Sequence, residues 1–418
     1  MKVAVMRYAS QLESLRQTLQ SINGLNGIGP QTRVLLKPNI LWGGGDLPRF
    51  GVATTARLVE DMILLLKEKG CRDISIGEGS IYNSEMKSDT QNGFRWAGID
   101  QVAEQYKIPL FDLNEGPFTS LKFEDVTIRI ASRVRETDFL INLPVLKTHG
   151  QAKVSLGMKN LKGCIDYESK KRFHRYGLNK FIGWLASVLH PALTVIDGIY
   201  ALERGPSPYG TAYRTNLLIA SRDPYGCDAV GASILGLDPA EVEHLQEYAQ
   251  FTSTDINAVE VVGENIETVR KPLAWSHQRY EIFNKADIKG IEMRDPGLTF
   301  CSGCSSNLFP ALSDFCRINR KKTFSGFEII LGRESKPFPG SQKVILMGNC
   351  PITINKNCKD AIRVPGCPPT TEKAFEALVV HTLGEQHLTE QKGMAATLRK
   401  AGKKVYDPKE FEPAHFRM

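Results

Sequence analysis

Runs of apolar residues alternate with helix-like periodicity along the first two thirds of the chain. The run at 34–40 ends abruptly in polar residues, as a parallel strand buried on both faces does at its carboxyl end. Apolar positions in 54–69 recur at helical spacing, and Gly70 supplies the stop signal. The other predicted strands are 3–9, 73–80, 108–113, 138–147, 193–199 and 216–221, with a β-ribbon at 119–131 and helices at 10–22, 99–106 and 223–236. This alternation predicts an α/β fold with a doubly wound, mostly parallel sheet.

A second, smaller α/β unit is predicted where apolar periodicity returns after a gap. Apolar runs at 327–332 and 343–349 predict strands, and 370–383 predicts a helix with its apolar positions on one face. The residues after about 388 predict a basic surface helix. The boundaries that we predict are a first domain at 1–265, a linker region at 266–295 and a cysteine-bearing domain at 296–418.

Length and composition agree with a globular protein of about two domains. The chain has 418 residues, of which 42% are hydrophobic and 24% charged, and these are ordinary values. The amino terminus lacks the apolar core of a signal peptide, and no run of 18 apolar residues predicts a membrane span. We therefore expect a cytoplasmic protein with no membrane partner, whose nine cysteines are metal ligands or buried thiols rather than disulfides.

Positive charge is concentrated in one segment. The net charge is only +7, but residues 147–175 contain eight lysines and arginines and two histidines, opposed by Asp166 and Glu168. Such a segment can bind nucleic acid, form a solvated face or line an anion-binding pocket. Interleaved exposed aromatic residues are lacking, and several of the lysines lie in tight apolar contexts. We therefore expect an anionic small molecule as partner, in preference to nucleic acid.

Four cysteines in the last third of the chain carry the strongest chemical signal. Cys301 and Cys304 form a C-x-x-C pair, Cys350 follows a predicted strand, and Cys367 precedes two prolines and a predicted helix. Four thiolates complete a tetrahedral ligand set that selects zinc or an iron–sulfur cluster. Zinc sites usually bring two close pairs, and here the third and fourth cysteines stand alone, so we favour one 4Fe-4S cluster over zinc. Four unrelated core thiols are the other interpretation, and Cys358 is the competing ligand.

Polar side chains also follow several predicted strands of the first domain. The carboxyl ends of parallel strands meet at one edge of a sheet, so these side chains predict a pocket there. The residues predicted to bind the anionic substrate are Lys37, Asn39, Lys147, Asn160, Lys162 and His174. Three further residues are predicted to be catalytic, namely His149 as proton donor, Lys159 as the alternative donor and Asp197 as the group that orients either of them. The competing interpretation is that each lysine extends to solvent and each aspartate caps a turn.

The same segments resemble the domain of unknown function 362 family, which is often associated with iron–sulfur proteins. The matching segments run in family order from about 34 to 240 and include LLKPNI, IGEGS, NLPVLKTH, SLGMKNLKGCI, KRFH, VIDGIYALERGPSPYG and LIASRDPYGCDAVGASILGLDP. The CSGC…C…GCPP pattern is also similar to the cluster-binding part of hydrogenase small subunits and of the corresponding quinone-reductase subunit. These resemblances imply the fold and a cluster, but no established reaction. The ferredoxin-type insert of other family members is lacking, so a two-cluster relay is not expected.

Two main classes of function follow from these observations, and a third, an electron-transfer or maturation partner with no substrate of its own, is also open. In the first, the protein is an oxidoreductase whose 4Fe-4S cluster passes electrons to an anionic small-molecule substrate, and such a cluster suits an anaerobic cell. In the second, the protein is a non-redox transferase or hydrolase that acts on a phosphate or carboxylate substrate, and the cysteine site is structural. A redox protein as electron donor and a homodimeric assembly are further expectations.

Overall fold

The computed structural model describes residues 1–9, 11–43, 49–82, 88–173, 177–206, 210–275, 281–341, 343–401 and 406–417. The chain forms two compact units. The large unit comprises Met1–Trp275 and Tyr406–Met418, and the cysteine unit comprises Ser276–Val405.

The large unit is built on a mostly parallel sheet. Its strands are β1 (Lys2–Arg7), β2 (Arg33–Pro38), β3 (Asp73–Glu78), β4 (Leu110–Asp112), β5 (Phe118–Phe123), β6 (Val126–Ala131), β7 (Phe139–Leu143), β8 (Val145–His149), β9 (Lys153–Val154), β10 (Leu193–Glu203), β11 (Thr211–Ser221) and β12 (Glu260–Gly263). Within the described residues, ten of these strands form one sheet in the order β12-β1-β11-β10-β7-β2-β3-β4, with β8 beside β10 and β9 beside β8. The pairs of β11 and the β8–β9 pair are antiparallel, and the other pairs are parallel. Strands β5 and β6 form a separate ribbon, as predicted.

Helices cover both faces of this sheet. They are α1 (Gln11–Ser21), α2 (Ala56–Glu68), α3 (Thr90–Ala97), α4 (Ile99–Tyr106), α5 (Ser132–Glu136), α6 (Gly157–Asn160), α7 (Tyr167–Phe173), α8 (Leu178–Leu189), α9 (Pro224–Ile234), α10 (Glu243–Thr252) and α11 (Ile266–Val269). Thr55 caps α2 by accepting from the Leu58 amide, and Asp223 caps α9, which begins with a proline.

Both faces of the central strands are buried. Along β2, Val34 and Leu36 join one hydrophobic cluster with Met62 of α2, whereas Leu35 joins the opposite cluster with Phe181 of α8. Successive side chains of a strand point to opposite faces, so a strand covered on both sides must be apolar at every position. This explains the uninterrupted apolar runs, and it confirms the predicted α/β fold with a mostly parallel sheet.

The run at 138–147, predicted as one strand, is two strands in the structure. Pro144 separates β7 from β8, and a proline has no N–H with which to continue a ladder. Strand β7 pairs with β2 and β10, whereas β8 pairs with β10 and β9. Because of this break, Lys147 and His149 lie on the separate short strand β8 and not on a continuation of β7.

The cysteine unit is a smaller α/β layer structure. Its strands are β13 (Lys289–Met293), β14 (Thr323–Ile330), β15 (Val344–Met347) and β16 (Ile362–Val364), and they form a parallel sheet in chain order. Its helices are α12 (Ile282–Lys285), α13 (Ser302–Ile318), α14 (Asn349–Ile354), α15 (Thr371–Leu383) and α16 (Leu388–Ala401). Among the described helices, none combines the length and apolar character needed to cross a lipid bilayer.

The units differ from the predicted boundaries at two places. The region predicted as a linker contains α11 of the large unit and β13, an edge strand of the cysteine unit. The last residues, predicted to continue the cysteine-bearing domain, belong to the large unit instead. The physical reason is aromatic packing, because Phe411 and Phe416 make edge-to-face contacts with Phe50 and stack on Tyr200 in the core of that unit.

Replacing Phe416 by alanine tests whether the C-terminal tail, residues 406–417, is part of the core of the large unit. Phe416 is 1% exposed, so Phe416→Ala should lower the free energy of unfolding of the large unit by about 3–5 kcal/mol, as truncation of a buried phenylalanine does. Urea unfolding followed by circular dichroism measures this loss. Phe251, which is 42% exposed, provides the control, and Phe251→Ala should stay within about 0.5 kcal/mol of the parent. Equal small effects of the two substitutions would show that the tail is not part of this core.

Candidate functional sites

A buried ion pair lies at the carboxyl edge of the large sheet. The Lys37 ammonium donates to both carboxylate oxygens of Glu78 at 2.9 Å, and the two side chains are 0% and 3% exposed. Lys37 is the penultimate residue of β2 and Glu78 is the last residue of the neighbouring strand β3, so parallel pairing brings them together. The backbone amides of Ile40 and Gly79 also donate to Glu78, at 2.9 and 2.8 Å. The charge of Lys37 is therefore neutralised inside the protein.

Amide side chains connect this pair to a second lysine. Asn160 in α6 accepts from Lys37 at 3.4 Å and from the Asn39 side-chain amide at 2.7 Å. Asn39 in turn accepts from the ammonium group of Lys147, which also donates to the Val52 carbonyl oxygen at 2.9 Å. The structure thus brings four of the predicted binding residues into one hydrogen-bonded network, which consists of Lys37, Asn39, Lys147 and Asn160. We call these residues, with Glu78 and the lysines around them, the lysine network.

Lys147 in this network and two further lysines, Lys170 and Lys159, have pKa values below the ordinary value of lysine. Burial lowers the pKa of Lys147 to about 7, and the positive charge of Lys37 acts in the same direction. Burial also lowers the pKa of Lys170 to about 8, although its ammonium group donates to the Gly79 carbonyl and to Asn114 at 2.7 and 2.6 Å. The pKa of Lys159 is well below its ordinary value, because burial and the charges of Lys162 and Lys147 disfavour the ammonium form.

Close packing around the ion pair leaves no room for side chains at two glycines. A methyl group on Gly163 would overlap the Glu78 carboxylate, and it would approach Lys37 Nζ to 2.6 Å. A methyl group on Gly79 would lie 2.6 Å from the Gly163 carbonyl oxygen and 2.6 Å from Lys170 Nζ. The glycines of the IGEGS and KNLKG segments are therefore explained by the approach of two loops over the ion pair.

Two of the three residues predicted to be catalytic make contacts of a structural kind. His149 is buried, and its Nδ1 accepts from the backbone amides of Gln151 and Ala152 at 3.0 and 3.1 Å, across the turn after β8. Asp197 accepts from the amide and hydroxyl of Thr55, both at 2.8 Å, at the start of α2. Burial raises the pKa of Asp197. The third residue, Lys159, lies in α6, where burial and, after it, the charges of Lys162 and Lys147 lower its pKa. His174 falls outside the described residues, and the roles predicted for all of these residues stay predictions.

Three residues of the site were not among the predicted ones. Glu78 neutralises Lys37, Lys170 adds a buried positive charge, and Asp228 accepts from the amides of Gly157 and Met158 at 2.7 and 2.8 Å. Burial raises the pKa of Asp228 to about 7. Glu78 lies in the IGEGS segment and Lys170 in the basic segment 147–175. Both segments stand out in the sequence, so the sequence could have indicated these two residues.

The four predicted cysteine ligands are neighbours in the cysteine unit. Cys301 and Cys304 lie at the start of α13, Cys350 lies at the start of α14, and Cys367 lies in the loop before α15. Cys304 shares a hydrogen bond with Cys301, and this bond, burial and the negative charges of Cys301, Cys367 and Cys350 raise the pKa of Cys304 well above its ordinary value. Three separate segments therefore place four thiols within electrostatic reach of one another.

Hydrogen bonds hold these three segments together. The Asn349 amide donates to the Gly366 carbonyl and the Gly366 amide to the Asn349 side chain, at 2.9 and 2.8 Å. Asn307 of α13 donates to the Pro369 carbonyl at 3.0 Å. A side chain at Gly348, whose φ is 108°, would begin 3.7 Å from the sulfur of Cys304. The contacts between the loops are thus independent of the thiols themselves.

The five other cysteines are placed differently. Cys71, Cys164, Cys227 and Cys316 are buried, and burial raises the pKa of each thiol. Cys358 packs with Ile330 and Leu346, on the face of the small sheet opposite to the one that Cys304 contacts. Within the described ranges, no three or more histidine, cysteine, aspartate or glutamate side chains are grouped closely enough to form a closed metal-ion ligand set.

Comparison with known proteins identifies the family. Residues 34–233, which contain the whole lysine network, match the family described as "Domain of unknown function (DUF362)". The thylakoid-associated protein sll1697 of Synechocystis sp. is 31% identical over 240 residues, which cover 56% of this chain and 72% of that protein. The chain belongs to the DUF362 family. Among solved structures, the lactate racemase apoprotein from Thermoanaerobacterium thermosaccharolyticum aligns with a TM-score of 0.37 and 12% identity, covering 78% of this chain and 68% of that one.

The lowered pKa of Lys147 predicts a pH dependence of stability. In the unfolded chain a lysine has a pKa of about 10.4, against about 7 for Lys147 in the folded protein. Between these two values the unfolded state binds more protons, so the contribution of Lys147 to the free energy of unfolding rises with pH. Relative to Lys147→Met, the parent should therefore gain stability from about pH 7 to about pH 10 in urea unfolding experiments.

Lys153→Met is the matched control for this measurement. Lys153 lies in the same basic segment but pairs with Glu241 at 2.9 Å near the surface. The difference between the parent and this variant should show no such gain. If the difference in free energy of unfolding between the parent and Lys147→Met is also independent of pH, then Lys147 is not a buried lysine that is neutral above pH 7.

Proposed function

We propose that the protein is an iron–sulfur oxidoreductase that acts on a small anionic substrate. In this proposal, Cys301, Cys304, Cys350 and Cys367 bind one 4Fe-4S cluster, and the large unit holds the substrate at the lysine network. The observation that carries the proposal is the pairing of two features in one chain: four converging thiols and a buried excess of lysines.

The charges of the lysine network favour an anion as ligand. Glu78 matches Lys37, which leaves Lys147 and Lys170 without a carboxylate at hydrogen-bonding distance among the described residues, since both donate to amide or carbonyl oxygens. Desolvated ammonium groups that repel one another lose protons easily, and a bound anion reverses this effect. Substrate arrival would therefore raise the pKa values of these lysines and restore their charge. A carboxylate or phosphate group suits compact ammonium donors.

A proton donor is needed wherever electrons are added to an anion, because charge would otherwise accumulate. Lys147 has a pKa of about 7, which suits proton transfer at neutral pH. The contacts of His149 favour the alternative donor, Lys159, because the His149 Nδ1 is held as an acceptor by two backbone amides. In this proposal the lysines bind and protonate the substrate, whereas Asp197 orients the loop before α2 through Thr55.

The residues of the cysteine unit fit a cluster. Thiolates are the ligands that iron–sulfur clusters select. The hydrogen bond with Cys301, burial and the charges of the other three cysteines raise the pKa of Cys304, and a positively charged iron centre would stabilise the thiolate forms against these effects. When bound, the cluster supplies one-electron transfer at a potential set by its surroundings. The similarity of the CSGC…C…GCPP pattern to the cluster-binding part of hydrogenase small subunits supports the same ligand set. Zinc is the less favoured occupant.

A non-redox transferase or hydrolase is the second candidate. The observation that favours it is that all residues of the lysine network belong to the large unit, so this site does not include the cysteine unit. Cys164, in the same segment as Lys162, is a buried thiol whose pKa is raised to about 12. Under this alternative the cysteine site is structural, and the substrate is again a phosphate or carboxylate.

Single cysteine substitutions test the ligand set. Protein purified without oxygen should contain about four iron and four sulfide per chain. Changing Cys301, Cys304, Cys350 or Cys367 to serine should abolish or strongly reduce this content, because a hard alkoxide replaces a soft thiolate. Cys358→Ser is the matched control and should retain it, since Cys358 packs on the opposite sheet face. A full cluster in Cys367→Ser would remove that residue from the ligand set, and zinc in place of iron would favour the structural alternative.

Low-temperature EPR of the reduced protein separates the two functions. If the cluster passes electrons to a substrate, dithionite should reduce it and produce the signal of a one-electron-reduced 4Fe-4S cluster, since such clusters operate at potentials from about −700 to +450 mV. The spectrum of Cys358→Ser should match that of the parent. An iron-loaded protein whose cluster stays EPR-silent under dithionite would argue for a structural cluster and for non-redox chemistry in the large unit.

A further inference from the structure

Asn142 is a buried polar residue of β7 that uses both ends of its amide side chain. It is 0% exposed and pairs with Lys37 in the register of β2 and β7. Its NH2 group donates to the Gly157 carbonyl oxygen at 2.8 Å, and its oxygen accepts from the Asn160 side chain at 2.8 Å. A backbone carbonyl can only accept a hydrogen bond, so the bond to Gly157 determines which way the Asn142 amide faces.

The direction of Asn142 determines the direction of the next two amides. Since Asn142 presents its oxygen, Asn160 must present its NH2 group and turn its own oxygen away. That oxygen accepts from Lys37 and from Asn39, and the oxygen of Asn39 accepts in turn from Lys147. Two carbonyl oxygens of β2 also accept from Asn160, but at 3.3 and 3.4 Å, so Asn142 is the closest of these acceptors. Asn142, Asn160 and Asn39 thus form an amide relay with a single direction, because a charged ammonium group at its end can only donate.

Asp228 holds the segment from which the amide relay starts. This residue of α9 is 0% exposed, and its two carboxylate oxygens accept from the backbone amides of Gly157 and Met158 at 2.7 and 2.8 Å. Asn142 binds the carbonyl oxygen of the same peptide group that Asp228 binds through the Met158 amide. A methyl group on Gly157 would lie 2.7 Å from Asp228 Oδ1 and 3.3 Å from Asn142 Nδ2, so the glycine lets both side chains approach.

We propose that Asn142 and Asp228 are positioning residues, which turn the amide oxygens of the lysine network toward its ammonium groups. As a result, Lys147 donates to the oxygens of Asn39 and Val52. An ammonium group has three N–H donors, and in the part of the chain that the structure describes these bonds use two of them. The third donor of Lys147 is then the one that binds the anionic substrate, a step that rests on the proposed function.

The direction of the amide relay matters because an amide can present an oxygen or an NH2 group to a lysine. An oxygen stabilises the ammonium form, and a hydrogen bond to a charged group is stronger than one between neutral groups. An NH2 group in the same place favours the neutral amine. The pKa of Lys147, about 7 in the folded protein, therefore reports the direction of the relay.

The other influences on the pKa of Lys147 do not depend on Asn142. Burial has the largest effect, followed by the charges of Glu78 and Lys37, and Lys147 in turn lowers the pKa of Lys159. A substitution at Asn142 removes none of these charges. A change in the pKa of Lys147 after such a substitution is therefore evidence on the relay.

Replacing Asn142 by leucine, which has a similar size, removes the start of the amide relay. Asn160 and Asn39 can then turn their NH2 groups toward the lysines, so the pKa of Lys147 should fall by about one or more. NMR titration of the full chain labelled with ¹³C at the lysine ε-carbons measures this pKa, and the resonance is identified by its loss in Lys147→Met. Asn319→Leu is the matched control. Asn319 is also 0% exposed but belongs to the cysteine unit, so the pKa of Lys147 should not change.

A double substitution shows whether Asn142 acts through Asn160. In an Asn160→Leu background the relay is already broken, so adding Asn142→Leu should not lower the pKa of Lys147 any further. A residue that only stabilises the fold would lower the free energy of unfolding in urea and leave this pKa unchanged. Asp228→Asn, which replaces one acceptor oxygen by an NH2 group, should change the pKa of Lys147 in the same direction as Asn142→Leu.

An unchanged pKa of Lys147 in a folded Asn142→Leu variant would overturn the proposal, and so would additive changes from Asn142→Leu and Asn160→Leu. If Asn142→Leu does not fold, Asp228→Asn decides, and an unchanged pKa of Lys147 there has the same meaning. The anionic substrate is tested separately in the parent, where inorganic phosphate or acetate should raise the pKa of Lys147, because a bound anion favours the ammonium form. If neither anion does so, the anionic-substrate proposal fails, whereas the variants still decide the role of the relay.

Discussion

The buried ion pair of Lys37 and Glu78 is the interaction on which the rest of the large unit's site depends. A charge taken out of water is strongly destabilising unless it is paired and its remaining hydrogen-bonding capacity is satisfied. Glu78 meets this requirement with the Lys37 ammonium and the amides of Ile40 and Gly79. This arrangement needs β2 and β3 in one register and glycines at 79 and 163. A side chain at 163 would overlap the carboxylate, and one at 79 would crowd the Gly163 carbonyl oxygen and Lys170 Nζ.

The remaining lysines gain their properties from lacking such a partner. Asn39 and Asn160 supply oxygen atoms that accept from ammonium groups without adding negative charge. Amide acceptors satisfy hydrogen bonds but do not offset the cost of desolvating a cation, so the pKa of Lys147 falls to about 7. A carboxylate in place of either asparagine would have neutralised the site. The use of amides next to lysines is therefore what leaves a buried positive potential for an anionic ligand.

The cysteine unit follows the general rule that functional groups collect where strands end and helices begin. Cys350 comes directly after β15, and the loop with Cys367 follows β16, the neighbouring strand. Hydrogen bonds between Asn349 and Gly366 join these two loops, and Asn307 fixes one of them to α13. Cys358 lies between the two loops in sequence but on the other side of the sheet, because its neighbours Ile330 and Leu346 face away from α13.

Much of this organisation could be predicted from the chain itself, because strands buried on both faces impose uninterrupted apolar runs and parallel strands must end at a common edge. The fold class, the edge on which Lys37, Asn39 and Lys147 meet and the special spacing of the four cysteines all follow from such local patterns. Tertiary structure decided which lysines form an ion pair. Strand register and the approach of the loops determine whether a lysine ammonium donates to a carboxylate, as Lys37 does, or to an amide oxygen, as Lys147 does. It also placed the C-terminal aromatic residues Phe411 and Phe416 in the large unit, because contacts between distant parts of the chain leave no periodic mark on the sequence.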